Sequence, residues 1–320
     1  MTHVLVTGGT GFVGGYVVRR LLGAGYTPVC LVRSPEKLRR RLGEVGAGRY
    51  VAVVGDVRDR RAVRDAAARC HAVIHLVGII LPRRLKRQTY AGIHVRGTRR
   101  IVEAARSAGI DRFVHMSALG TRPDAVASYH KTKWAAETCV RESGLAWTIF
   151  RPSVIHGPDG EFMRLMRRFA CGVVPPVMPY FGSGEARVQP VFVKDVAACF
   201  VASLSRPESV GEVYPLGGPV RYTWKALYET CRSLLPGARR RKRLVGLPAP
   251  LARFVAGVTA VPMAVAELVV PRVGLFRFNG DQVTMALEES VCDHRVAEGA
   301  FGLRMRAFED ALARYGDQIG

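Results

Sequence analysis

The chain has 320 residues, 48% hydrophobic and 23% charged, the balance of a globular protein with room for one large core and an elaborated C-terminal part. It holds no run of about 18 uncharged apolar residues, and Met1 leads straight into a strand-like segment, so neither a membrane span nor a signal peptide is expected. The net charge of +22 favours anionic partners (phosphates, an anionic membrane surface, an acidic protein). Nucleic acid is not expected, because no DNA- or RNA-reading motif accompanies the charge.

Val4 to Val6 form a short apolar run, as a buried parallel strand requires. The run ends at Gly8-Gly9-Thr10-Gly11-Phe12-Val13-Gly14. Val13, Val17 and Leu21 then recur every four residues, so a helix follows. Glycines three apart between a strand and a helix form a dinucleotide-phosphate turn. Gly8 permits the tight turn, Gly11 lets the backbone approach a pyrophosphate, and Gly14 lets helix and strand pack closely. The helix N-terminus offers its free N–H groups to the phosphates. Thr10, Phe12 and Val13 complete this expected cofactor-binding stretch.

Tyr26 to Val32 reads as a second strand, ending at Arg33. An acidic residue at such a position takes the ribose 2′-hydroxyl of NAD, whereas an arginine accommodates the 2′-phosphate of NADP. Arg33 therefore favours NADP(H) over NAD(H). Helix-like residues 35–43 lead to a third strand, Tyr50 to Val54, then Gly55-Asp56-Val57. Asp56 is either an adenine contact, with Val57 beside it, or the N-cap of a helix over 59–69. A fourth strand, Ala72 to Val77, ends at Gly78, and both residues are expected near the nicotinamide-side ribose. Residues 82–87 form a basic loop, 90–108 a helix, and Arg112 to Ser117 a fifth strand. Strands alternating with helices imply an α/β fold with a doubly wound parallel sheet. Right-handed crossovers then bring Gly8, Arg33, Asp56, Gly78 and Ser117 to one rim.

Ser117 precedes Tyr129-His130-Lys131-Thr132-Lys133 by twelve residues. Tyr129 and Lys133, four apart, share one helical face. A neighbouring ammonium favours the phenolate, so Lys133 is expected to lower the tyrosine's pKa and let it act as general acid or base in hydride transfer. Ser117 would hold a substrate carbonyl or hydroxyl, and Lys133 the nicotinamide ribose. Lys131, two residues from Tyr129, points away.

Together the glycine turn, Ser117 and Tyr129-x-x-x-Lys133 resemble the extended and atypical short-chain dehydrogenase/reductases. More narrowly, Ile74 to Ile80, Met116 to Gly120, Arg151 to Gly157, Gln189 to Val196 and the stretch near Gly280 resemble the NAD(P)H-binding accessory subunit family of respiratory complex I and its bacterial relatives. The resemblance implies that Pro152, Ser153 and Val154 contact the nicotinamide. Where extended members carry Asn in a pattern like Asn-x-x-Gly-Thr, this chain reads His94-Val95-Arg96-Gly97-Thr98, which puts the proton relay in doubt. The accessory subunits are regarded as structural although they keep the tyrosine and lysine.

The expected division is a dinucleotide-binding Rossmann core over 1–155 and a substrate-side lobe with C-terminal helices over 156–320, with about 188–204 returning to the core. Asp195 is expected either to order the return to the core or to N-cap a helix from Val196 to Leu204. Pro179 to Gly184 reads as a turn in which Tyr180 and Phe181 either cover substrate or pack the lobe. Arg239 to Arg243 precede an apolar stretch, Pro248 to Val270, a combination that can lie on an anionic membrane surface. Residues 299–316 read as a final helix with Phe301, Met305, Phe308 and Leu312 on one face. The seven cysteines are odd in number and lack C-x-x-C spacing, which points to free thiols in a reducing compartment and to no metal site. The expected location is cytoplasmic, or peripheral on the inner face of a membrane. The expected activity is that of an NADP(H)-dependent oxidoreductase or epimerase-like enzyme on a small-molecule substrate. The alternative is a non-catalytic nucleotide-binding subunit.

Overall fold

A computed structural model describes residues 2–83, 88–258 and 278–320. Most of the basic loop 82–87 and the second half of the apolar run 248–270 lie outside them. The five apolar runs become the strands β1 (His3–Thr7), β2 (Thr27–Val32), β3 (Val51–Val54), β4 (Ala72–His75) and β5 (Arg112–Met116), and a sixth strand, β6 (Ala146–Pro152), follows beyond those expected from the sequence. With the strand Glu212–Leu216 they make a seven-stranded sheet in the order Glu212–Leu216, β6, β5, β4, β1, β2, β3. Every pairing is parallel, with Leu5 between Val29 and Val73. The order reverses beside β1, so the chain leaves β1 and β4 in opposite directions and opens a crevice at their C-terminal ends.

The helices α1 (Phe12–Gly23), α2 (Pro35–Leu42), α3 (Arg60–Ala67), α4 (Arg96–Ser107) and α5 (Ser128–Arg141) follow successive strands. Each buries one stripe. Val17, Val18 and Leu21 of α1 are fully buried, and α1 packs on α7 (Val193–Ala202). Val63, Ile101 and Ala105 join Leu5, Val73, Phe113 and Ile149 in one cluster. Fully burying such side chains contributes roughly 1.5–3 kcal/mol each. Ser34 caps α2, with Pro35 as the first helical residue, and Asp59 caps α3 by accepting from the Arg61 and Ala62 amides.

The chain divides into two units. Unit 1 comprises residues 1–152, 193–216 and 295–304, and unit 2 comprises 153–192, 217–294 and 305–320. Unit 2 contains α6 (Glu161–Cys171), α8 (Trp224–Leu234), the helix Gly280–Leu287 and the paired strands Met178–Phe181 and Leu244–Leu247. Tyr180 and Phe181 therefore sit on a strand rather than a turn, and their rings pack on Tyr228 and Phe278.

Two helix boundaries differ from expectation. Asp195 lies in the first turn of α7, which begins two residues earlier, so it is not the N-cap. The expected helix over 299–316 is two helices, Arg295–Phe301 and Phe308–Tyr315. Gly302 adopts φ +62°, a left-handed conformation that ends the first, although Phe301, Met305, Phe308 and Leu312 are all buried.

Candidate nucleotide and catalytic site

At the C-terminal end of β1 the glycine turn has the form its spacing implies. Gly8 adopts φ +81°, and its carbonyl accepts from the Gly11 amide at 2.9 Å. A Cβ on Gly14 would overlap the Gly8 carbonyl, so only glycine lets α1 approach this closely. Gly11 is exposed at the head of α1. Unlike α2 and α3, α1 starts without a side-chain cap, and unlike α2 it has no acidic residue in its first turn. Its leading N–H groups, carried by Phe12, Val13 and Gly14, are left for an anion, which fits a diphosphate. Thr10 and Phe12 are half-buried beside the turn, and Val13 is buried beneath it.

After β2 and β3, Arg33 and Asp56 come together. The Arg33 guanidinium is largely exposed and lies 4.0 Å from an Asp56 carboxylate oxygen. Arg58, which sequence reasoning overlooked, is closer: its Nε donates to Asp56 Oδ1 at 2.8 Å and its amide to the same oxygen at 3.0 Å. Burial pushes the Asp56 carboxyl up, but these bonds and the two arginine charges outweigh it, so its pKa falls below the usual value. Asp56 is not the α3 cap, since Asp59 holds that position. Val57 is buried against Gly97 of α4.

Val77 and Gly78 follow β4. A Cβ on Gly8 would stand 3.3 Å from the Val77 amide nitrogen, so the ends of β1 and β4 are in contact. A Cβ on Gly78 would lie 3.7 Å from His94 Nε2 and 3.9 Å from Lys133 Nζ. Gly78 thus joins the glycine turn to the Tyr129–Lys133 helix.

His94 occupies a π-helical turn, Ala91–Val95, immediately before α4, a distortion that aims its ring inward. Its Nε2 accepts from the Ile79 amide at 3.0 Å, and its Nδ1 meets Thr132 Oγ1 at 2.9 Å. The Thr132 hydroxyl donates onward to the Ser128 and Tyr129 carbonyls. Nε2 also lies 3.1 Å from the Ile79 carbonyl; a proton on Nδ1 lets it accept from the Ile79 amide while Nδ1 donates to Thr132. Burial, then the Lys133 charge, pushes the His94 pKa down to about 2, so the ring is neutral. His94 therefore ties the end of β4 to α5 through a threonine.

Tyr129 is half-buried, its ring packed edge-on against Tyr90, His94 and His130. Its hydroxyl has no hydrogen-bond partner among the described residues. Lys133 is buried, and its ammonium donates to the Met116 carbonyl at the end of β5. Burial pushes its pKa down to about 8, with Glu137 opposing. Burial, with the neighbouring Tyr90, pushes the Tyr129 phenol above its usual range. The Lys133 ammonium is engaged by a backbone carbonyl. Ser117 is buried, with its hydroxyl 3.3 Å from that of Thr121 and its amide donating to the Phe150 carbonyl. The fully buried Glu137 accepts two bonds from Arg151 of β6, at 2.9 and 2.7 Å, which fix α5 to the sheet.

Pro152 ends β6, and its carbonyl accepts from the Leu119 amide, which closes the loop after Ser117. Ser153 and Val154 belong to unit 2, where Ser153 Oγ donates to the Ser290 carbonyl and the Val154 carbonyl accepts from Val191. Among the described residues no helix is long and apolar enough to cross a membrane.

A seven-stranded parallel sheet with a glycine turn after its first strand and a Tyr-x-x-x-Lys helix after its fifth defines the Rossmann class of dinucleotide-binding proteins. Residues 4–217 match the family described as NAD dependent epimerase/dehydratase family, and the chain belongs to it. It is 31% identical over 253 residues to the NADH dehydrogenase [ubiquinone] 1 alpha subcomplex subunit 9, mitochondrial, of Arabidopsis thaliana, covering 78% of this chain and 61% of that protein. A ceramide reductase of Caulobacter vibrioides is 34% identical over 251 residues, 77% of this chain and 74% of the relative. Among solved structures, a UDP-glucuronic acid 4-epimerase from Bacillus cereus in complex with NAD superimposes with a TM-score of 0.73 at 17% identity, over 99% of this chain and 98% of the other. At that identity the likeness shows the fold alone. The chain spans less than two thirds of the length of the Arabidopsis subunit. The family and its relatives agree with the expectation of an NAD(P)-dependent enzyme that takes a nicotinamide dinucleotide.

Proposed function

We propose that the chain is an NADP(H)-dependent oxidoreductase or epimerase-like enzyme acting on a small-molecule substrate, with the nucleotide held by unit 1. The observation that carries this reading is the meeting, on one rim of unit 1, of the uncapped head of α1, the Arg33–Arg58 pair and Lys133 beside Gly78. Thr10, Gly11, Phe12 and Val13 would cradle the diphosphate. Asp56 and Val57 would line the adenine side, and Val77, Gly78 and Pro152 the nicotinamide side. The nucleotide supplies or accepts a hydride when bound. Tyr129 transfers the proton at the substrate oxygen, Ser117 orients that oxygen, and Lys133 holds the nicotinamide ribose. The ceramide reductase relative makes lipid-like substrates the first to assay.

Arg33 and Arg58 both lie against the single Asp56 carboxylate, and this pair of guanidinium groups is what supports a preference for the 2′-phosphate of NADP. Charge-assisted bonds contribute roughly 1.5–3 kcal/mol, so Arg33→Ala should weaken NADPH binding about tenfold or more and leave NADH within about twofold. Calorimetric titration with both coenzymes checks this. Equal weakening for both, or none, would remove the NADP preference from the account.

A second reading has its own support. The match to a complex I subunit and the engagement of Lys133 by the Met116 carbonyl favour a bound nucleotide that is structural. The two readings part at Tyr129.

A further inference from the structure

Unit 2 carries a surface that nucleotide chemistry does not use. Where α6 ends, Val173 and Val174 are 66% and 71% exposed. Beside them runs the turn Arg239 to Arg243, in which four arginines are exposed and Lys242 alone is buried. Lys242 Nζ donates to the Phe169 carbonyl at 2.6 Å and the Gly172 carbonyl at 2.8 Å, while the Arg239 amide donates to Ala170. The lysine thus closes the carbonyl end of α6 and clamps the valine loop to the arginine turn. A recess of about 550 Å³ lies between them, lined by Val173, Pro176 and residues 239–242. No acidic residue occurs in 162–184 or 230–258. A little further on, Leu251, Phe254, Val255 and Val258 keep helical spacing and are all exposed, while Ala252 and Ala256 on the other face are buried.

We propose that this face docks on an anionic phospholipid surface, with the arginines on headgroup phosphates and Val173 and Val174 entering the acyl boundary. Basic side chains attract anionic lipid, and neighbouring apolar side chains convert attraction into insertion. A nucleic-acid backbone would satisfy the arginines and leave the valines in water, so the exposed apolar side chains favour the bilayer. The proposal stands apart from nucleotide binding.

Co-sedimentation with phosphatidylcholine vesicles containing about one third phosphatidylglycerol, at about 150 mM salt, tests it. The protein should pellet with these vesicles and not with pure phosphatidylcholine. Each arginine contributes roughly fivefold, so Arg239→Ala/Arg240→Ala/Arg241→Ala should weaken binding on the order of 100-fold. Val173→Asp/Val174→Asp should also release the protein. Arg60→Ala/Arg61→Ala/Arg64→Ala, which removes the same charge from the exposed side of α3, should bind as the wild type does. No binding to the anionic vesicles would overturn the proposal. So would equal loss in the α3 variant, which would assign binding to the molecule's overall charge. Aspartates at 173 and 174 that leave vesicle binding intact would also overturn it, as would duplex DNA binding that depends on the same arginines and equals vesicle binding in strength.

Discussion

Tyr129→Phe should lower turnover by roughly 10²–10⁴-fold while nucleotide affinity and stability stay within about twofold of the wild type. The expectation follows from the packing of this side chain. Its ring touches Tyr90, His94 and His130, contacts that phenylalanine keeps. Its hydroxyl bonds to no described residue, so removing it leaves no buried partner unsatisfied. The hydroxyl is therefore free for the substrate, and its loss would be felt in the reaction alone. Steady-state kinetics with a reducible lipid-like substrate, beside thermal melts, gives the comparison. A variant as active as the wild type would move the assignment to the structural reading.

The second large effect is on stability in acid. His75, His94 and His115 cluster in unit 1 and are all buried. Burial, with the Lys133 charge, pushes His75 down to about 3, His94 to about 2 and His115 well below the ordinary range. The sign follows from proton counting. Below pH about 6.5 the unfolded chain protonates these rings and the folded unit does not, so stability falls as pH falls. Each histidine contributes roughly 1.4 kcal/mol per pH unit, so the three remove about 4 kcal/mol between pH 6 and pH 5. That is a large share of the roughly 5–15 kcal/mol that holds a domain together. Unit 1 should therefore be much less stable at pH 5 than at pH 7. His115 separates this cause from others. Both its ring nitrogens lack a partner among the described residues, and the ring stacks on His75 at 5.4 Å. His115→Phe keeps the ring and removes one proton site, so denaturant melts should show a stabler unit 1 at pH 7 and a shallower acid slope. A flat profile from pH 7 to 5, or a slope unchanged in the variant, would contradict the argument.

The parts of the fold that were legible in the sequence are those whose physical demand is local. Gly8 needs a left-handed φ, Gly14 must lack a Cβ, and the apolar runs of β1 to β5 lie between turn residues, so each announces itself within a few positions. What escaped is set by distant partners. The edge strand Glu212–Leu216 pairs with β6 across some sixty residues, and neither strand carries a run as apolar as β1. Asp56 and Asp59 stand three apart, and only the backbone path decides that the second caps α3. His94 was visible as a departure from the family pattern, but its link to Ile79 and Thr132 is tertiary. The apolar period through Phe301 and Leu312 suggested one helix because Gly302 alone interrupts it.

The central claim is that the amides heading α1 grip a diphosphate. Calorimetric titration of the wild-type protein and of Gly11→Val with NADPH measures it directly. The account predicts a clear heat with the wild type and its loss in the variant, whose Cβ would stand 3.1 Å from the Gly8 carbonyl at the head of α1, with a thermal melt showing that the variant is folded. No heat from the folded wild-type protein with NADPH or NADH, or the same heat from both proteins, would contradict it.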